Sequence, residues 1–266
     1  MNKTIFTFWE PKDTIPEYLK LCMNTWKKFL PEYKIVILNY ENIENYLDKN
    51  YFDYVLYTDF SLPKQADAIR AAILKKYGGI WLDIDTIITS DKIRNILNIE
   101  SEFVTIGSHI AFIKAEPYAL IASKWDDKIK IRLQLFKKFK YSNNLYKKIF
   151  QIFHPKLYKK FYNWDYLGNS ILKQLFKTKN KHEYYSINKI EINAFPEINK
   201  KTMDSADENY KNFYFNNDFS TEVLNSERGI ILLHNSWTPK EVLNMPKDKF
   251  FEMNCTLSNI LKSLNS

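Results

Sequence analysis

Cysteine is nearly absent from this chain, Cys22 and Cys255 being the only two. Their separation offers no metal-binding or redox spacing, so no disulfide framework is implied and reduced thiols are expected. Long apolar runs are missing as well. No window approaches the roughly 20 apolar residues of a membrane-spanning helix, and the opening MNKTIFTFWEPKD lacks the apolar core of a signal peptide. The chain is therefore expected in the cytoplasm, free or peripheral on the inner face of the membrane. Arginine is scarce beside lysine, and no RNA- or DNA-binding motif accompanies the positive charge, which argues against nucleic acid as a partner. Acidic residues disappear from one stretch: none stands between Asp127 and Asp165.

What is present suffices for a substantial core. In 266 residues the hydrophobic share of 45% and aromatic share of 16% exclude wholesale disorder. Thr4–Trp9 is β-branched and aromatic and reads as a first strand. Pro16–Phe29 reads as a helix with Tyr18, Leu21, Cys22, Thr25 and Phe29 on its apolar side, and Tyr33–Leu38 as a second strand. A short helix over Glu41–Leu47 and a connecting segment over Tyr51–Thr58 follow. Later strands are expected at Ser101–Gly107, with Gly107 and Ser108 as turn residues, at Ile110–Ile113 before a helix starting at Glu116-Pro117, and at Gly229–Leu233. Strand alternating with helix implies an α/β fold with a mainly parallel central sheet. The expected organisation is a single domain over 1–266, with a basic helical insertion at about 124–164 and a C-terminal capping segment at about 238–266. The insertion supplies more positive charge than the whole-chain excess of +8. Two readings of it stay open: basic amphipathic helices on an anionic membrane surface, or a solvated helical hairpin.

The most informative stretch runs from Leu62 to Ile88. Ala66, Ile69, Ile73 and Tyr77 recur at helical spacing as a core stripe, leaving Lys64, Lys75 and Lys76 for solvent. Asp67 and Arg70 flank the stripe. Gly78-Gly79 stops the helix, and Ile80-Trp81-Leu82 resumes as a buried strand ending in Asp83-Ile84-Asp85. Residues two apart on a strand share a face, so both aspartates are expected at the C-terminal strand edge, where open α/β sheets bind ligands. Two such carboxylates suit Mn²⁺ or Mg²⁺.

The string of Asp67, Arg70, Leu74, Gly78-Gly79, Trp81 and Asp83-Ile84-Asp85 resembles the DxD-type glycosyltransferases of family 32, which includes capsular-polysaccharide enzymes and yeast mannosyltransferases. The glucosylating clostridial toxins are more distantly similar. The resemblance implies a GT-A-type domain that moves a hexose, with retention, from a nucleotide sugar, preferably a UDP-sugar, to a saccharide or lipid-linked saccharide acceptor in capsular or surface polysaccharide synthesis. It implies Asp83, Asp85 and His234 as metal ligands and Asp67, Arg70, Asp83, Asp85 and Trp237 as catalytic residues. Trp9 would stack on the base. Asp165, Gly168, Asn169, Ser236 and Trp237 would join Asp67, Arg70 and Asp83 around the nucleotide sugar. The family commonly has Pro after that Gly where Asn169 stands here. Two rival readings use the same residues: a haloacid-dehalogenase-like phosphatase built on Asp83 and Asp85 with Asp126-Asp127 as a later acidic pair, and a non-enzymatic basic protein of the membrane surface.

Overall fold

The β-branched and aromatic residues at Thr4–Phe8 form the first strand, and the mixed α/β pattern expected from the sequence holds along the chain: a mainly parallel central sheet is flanked by helices. The computed structural model describes residues 2–50, 60–107, 109–176, 182–188, 206–225 and 229–266. The segment expected at 51–58 and the turn residue Ser108 lie outside the described residues. The strands are β1 (Thr4–Phe8), β2 (Lys34–Leu38), β3 (Gly79–Leu82), β4 (Thr86–Ile88), β5 (Phe103–Ile106), β6 (His109–Ala115), β7 (Tyr185–Ile187) and β8 (Ile230–Leu232). The α-helices are α1 (Glu17–Phe29), α2 (Leu62–Tyr77), α3 (Ile93–Leu97), α4 (Leu120–Lys140), α5 (Asn144–Phe153), α6 (Pro155–Tyr162), α7 (Asn169–Leu175), α8 (Ala206–Lys211), α9 (Ser220–Asn225), α10 (Lys240–Leu243), α11 (Lys247–Glu252) and α12 (Thr256–Leu264). The short helix expected over Glu41–Leu47 is a 3₁₀ turn at Ile43–Asn45.

Two compact units make up the chain, the first of Met1–Asn2, Leu38–Trp81 and Glu100–Ser186, the second of Lys3–Ile37, Leu82–Ile99 and Ile187–Ser266. In the first unit α2 packs against α4, and α4 against α7. Helix α2 is not the one-sided amphipathic helix its stripe suggests: every residue from Asp67 to Leu74 is buried, and so are Lys64 and Gln65. It ends at Gly78, whose φ of 60° and close neighbours demand glycine, since a Cβ there would lie 2.6 Å from Pro117 Cδ. All four residues of β3 are buried, as the apolar run predicts. Strands β5 and β6 form an antiparallel hairpin. The helix expected from Glu116-Pro117 begins only at Leu120, because Tyr118 takes a left-handed φ of 59° and interrupts the helical path.

In the second unit α1 packs on β4, α10, α11 and α12. Strand β4 pairs antiparallel with β8, Thr86 facing Leu232 and Ile88 facing Ile230. Trp26 donates its indole N–H to the Thr86 carbonyl at 2.7 Å, and Ile88 N–H donates to Thr25 Oγ1 at 2.9 Å. Helix α1 is thereby stitched to both ends of this strand. Cys22 and Cys255 are buried free thiols.

Candidate active site

The predicted site residues fall into two clusters, one in each unit. In the first unit, Arg70 Nη1 donates to Asp67 Oδ1 at 3.0 Å, one turn apart on α2 with both side chains almost fully buried. The guanidinium also lies 4.9 Å from the centre of the Trp81 ring, a cation–π contact that adds to its confinement. Burial of such a pair is tolerable only because each charge meets the other, and losing one partner typically costs about 3–5 kcal/mol.

Gly168 stands directly against the Asp67 carboxylate: a Cβ built on it would lie 2.8 Å from Asp67 Cγ and 2.9 Å from Ile110 Cδ1. Glycine is therefore required for that approach. Its loop is held from α4. Arg132 donates to the Tyr166 carbonyl and to Ser170 Oγ, the latter at 2.7 Å, and rests 5.1 Å from the Tyr166 ring centre, while Trp125 Nε1 donates to the Leu167 carbonyl at 2.8 Å. Gly168 N–H donates to the Asp165 carbonyl at 3.2 Å, so Asp165 opens the turn that presents the glycine. Asn169 begins α7, with Gly168 in the cap position before it. The Oδ1 of Asn169 is buried and accepts no hydrogen bond among the described residues, an acceptor left over for an incoming hydroxyl or amide.

Lys64, read from the sequence as a solvent lysine, is buried at 8% exposure and donates to the Phe161 carbonyl at 2.9 Å. Burial lowers its pKa, opposed by the charges of Asp165 and Asp67. It joins the acidic residues of this cluster, and nothing in its spacing distinguishes it from Lys75 or Lys76. Lys75 likewise is engaged, donating to Asp126 at 2.9 Å and Asp127 at 3.1 Å. Asp126 also meets Lys130 at 2.8 Å one turn along α4, so the pair that would complete a phosphatase is engaged in ion pairs, of which those with Lys75 brace α2 against α4.

In the second unit the strand-edge reading of the two aspartates needs correction. Strand β3 ends at Leu82, and Asp83-Ile84-Asp85-Thr86 is a turn closed by Thr86 N–H donating to the Asp83 carbonyl at 2.9 Å. The carboxylates therefore share a turn that leads into β4, not one face of an extended strand. Asp83 is half-buried, and Asp85 is buried. Asp85 Oδ2 accepts from Asn235 N–H at 2.7 Å, which joins the turn to the His-Asn-Ser-Trp segment 150 positions later. The β4–β8 ladder explains the meeting, because it sets the residues before β4 beside those after β8.

That segment is itself well supported. Asn235–Trp237 forms a 3₁₀ turn. Tyr18 donates to Asn235 Oδ1, and Tyr210 Oη accepts from His234 N–H at 3.1 Å. His234 and Trp237 rings are 4.4 Å apart, and Tyr210 packs on both, at 5.9 and 5.6 Å. Burial, reinforced by the charge of Asp85, pushes the Tyr18 hydroxyl and the Cys22 thiol well above their ordinary ranges, and Tyr210 is raised chiefly by burial. These phenols stay protonated, which keeps Tyr18 a donor. Ser236 is exposed and Trp237 half-buried. Trp9 follows β1, and its indole N–H is buried without an acceptor among the described residues. Tyr18 and Tyr210 escape sequence reasoning because their partners lie far along the chain; only their place among buried aromatics hints at them.

Among the described residues no three His, Cys, Asp or Glu side chains gather to hold a metal ion. The donor chemistry nevertheless fits Mn²⁺ or Mg²⁺: the Asp83–Asp85 turn offers two carboxylates, and such ions are commonly held by one or two carboxylates plus substrate phosphates and water.

Comparison with known proteins adds a family. A model described as "Capsular polysaccharide synthesis protein" matches residues 1–226. Lactosylceramide 4-alpha-galactosyltransferase of Mus musculus and that of Rattus norvegicus are each 42% identical over 55 residues, which is 20% of this chain and 15% of theirs. The chain thus spans only 15% of the length of these curated relatives. Among solved structures, PaToxG Glycosyltransferase is 17% identical with a TM-score of 0.36, over 69% of this chain and 82% of that one. Glycosyltransferase GlyE of Streptococcus pneumoniae TIGR4 is 13% identical with a TM-score of 0.45, over 99% of this chain and 63% of that one.

Proposed function

The chain belongs to the capsular polysaccharide synthesis protein family, and from that premise we propose that it is a metal-dependent glycosyltransferase. In this reading it moves a hexose from a nucleotide sugar, a UDP-sugar in the first instance, to a saccharide or lipid-linked saccharide acceptor in capsular or surface polysaccharide synthesis. The observation that carries the proposal is the 2.7 Å hydrogen bond from Asn235 N–H to Asp85, which ties the paired aspartates to the segment holding His234, Ser236 and Trp237.

Transfer builds negative charge on the departing diphosphate and positive character at the anomeric carbon. Asp83 and Asp85 would hold Mn²⁺ or Mg²⁺, which when bound supplies Lewis-acid stabilisation of the leaving diphosphate. Asn235 N–H fixes the Oδ2 oxygen of Asp85 and so holds the carboxylate in place for that task. Trp237 offers an indole N–H, a donor only, to a phosphate or glycosidic oxygen, and Ser236 an exposed hydroxyl. His234 would complete the metal site, its ring also resting 4.4 Å from that of Trp237. Asp67, oriented by its hydrogen bond from Arg70, accepts from sugar hydroxyls, and Asp165, Gly168 and Asn169 complete that wall, Asn169 with an Oδ1 that accepts no bond among the described residues. Trp9 supplies an aromatic face for the base. Among the described residues no side chain of these clusters is an evident nucleophile, and retention is assigned to front-side attack assisted by the leaving phosphate.

The test is Asp85→Asn with hydrolysis of a panel of nucleotide sugars in the presence of Mn²⁺ as readout. Mn²⁺-dependent hydrolysis is expected to vanish while circular dichroism and melting stay close to wild type. Undiminished hydrolysis would overturn the metal assignment. The preferred donor should raise the melting temperature of the wild-type protein, because a ligand that binds only the folded state stabilises it.

A further inference from the structure

Helix α5 is anomalous for a helix of a folded domain. None of its ten residues is buried, although its face carries Leu145, Ile149, Ile152 and Phe153. Leu145, Ile152 and Phe153 are 68%, 71% and 72% exposed. Positions 145, 149, 152 and 153 fall on one side of a helix, so this is a continuous apolar stripe and not scattered surface residues. The opposite edge of the helix is anchored: Phe150 stacks on Phe161 of α6 at 5.8 Å and tilts against Phe139 of α4 at 5.3 Å. The stripe is therefore held outward by the fold. At the last residue of α6 and just past it, Tyr162 and Trp164 are 62% and 67% exposed.

The charge of the segment that carries the stripe has one sign. Lys148, Lys156, Lys159 and Lys160 are exposed and Lys147 is half-buried, with no acidic residue between Asp127 and Asp165. The same chemistry recurs beside α5 in a cleft of about 310 Å³, whose walls include Phe136, Phe139 and Phe161, whose lining includes Lys140 and Lys147, and which no acidic residue lines among the described residues. Among the described residues no helix is long and apolar enough to cross a membrane. An apolar stripe flanked by lysines and aromatic residues, on a helix too short to span, is the composition of a segment that lies in the interface of a bilayer. Lysine flanks select anionic lipid, each ammonium near such a surface strengthening binding about fivefold.

We propose that α5 and α6 dock this protein on an anionic lipid bilayer, with Leu145, Ile149, Ile152 and Phe153 entering the acyl boundary and Lys147, Lys148, Lys156 and Lys160 meeting lipid phosphates. The whole chain is sedimented with vesicles of phosphatidylcholine alone and of phosphatidylcholine mixed with phosphatidylglycerol, at low and high salt. Binding is expected only to the mixed vesicles, and more weakly at high salt. I152S/F153S and K147Q/K148Q/K156Q/K160Q change surface residues, so melting should stay near wild type while each variant loses on the order of tenfold or more in partitioning. Equal binding to both vesicle types, no binding to either, or wild-type partitioning by both variants overturns the proposal. So does a dimer in light scattering that I152S/F153S dissociates without any vesicle binding, since the stripe would then serve a second copy of the chain.

Discussion

Gly168 and Asp67 are in such close apposition that the smallest side chain would have to displace one of them, a Cβ on Gly168 lying 2.8 Å from Asp67 Cγ. Gly168→Ala is therefore expected to cost about 1–3 kcal/mol through overpacking, and to move the carboxylate that Arg70 orients. Thermal melting and donor turnover measured on the same variant check this; an alanine protein with wild-type melting and turnover would refute the close-approach role. Residue type and spacing made Asp67 and Arg70 legible as a pair, because i and i+3 on a helix meet. Their burial was not legible, nor was that of Lys64, since a helix enclosed on all sides by other elements hides polar and apolar positions alike. Tyr18 carries no local signal for its bond to Asn235, a contact across 217 positions.

At the scale of elements, α1 holds β4, and β4 holds the aspartate turn. Trp26 is fully buried with its indole N–H on the Thr86 carbonyl. Trp26→Phe keeps most of the apolar volume but strands that carbonyl, with an expected cost of about 1–3 kcal/mol. A lowered denaturation midpoint with an unchanged slope is the expected result, and an unchanged midpoint would show that the strand does not depend on this stitch. Most elements were readable from period and punctuation: α1 and α2 from helical spacing, β3 and β8 from short apolar runs. The misreading of Asp83-Ile84-Asp85 has a physical origin. Polar-apolar-polar alternation reads as strand, yet the Thr86 to Asp83 backbone bond closes a turn that periodicity does not encode. The basic stretch read as a pair of helices comprises α4, α5 and α6, because Pro155 favours the first turn of a new helix.

For the molecule as a whole, buried tyrosines predict how stability responds to alkali. Tyr18, Tyr210 and Tyr214 are each at most 1% exposed, and burial raises each above its ordinary value of 10.0. In the unfolded chain they ionise near that ordinary value, whereas in the folded chain they keep their protons. Their contribution is thus fully present below pH 10.0 and is lost as pH rises above it, so the melting temperature should fall beyond that point. Phenolate absorbance should rise together with unfolding, and Tyr214→Phe should flatten the fall; tyrosines that titrate freely before unfolding would contradict it. The sequence alone determined the α/β class, the helix that carries Asp67 and Arg70, the paired aspartates and the segregation of lysine from acid, because composition, period and short spacing are local properties. Tertiary structure alone decided that Asp85 meets Asn235, that Gly168 meets Asp67, that Lys64 is enclosed and that α5 keeps its apolar stripe uncovered. Those outcomes depend on which elements pack together, and packing is a relation between distant stretches that no single stretch contains.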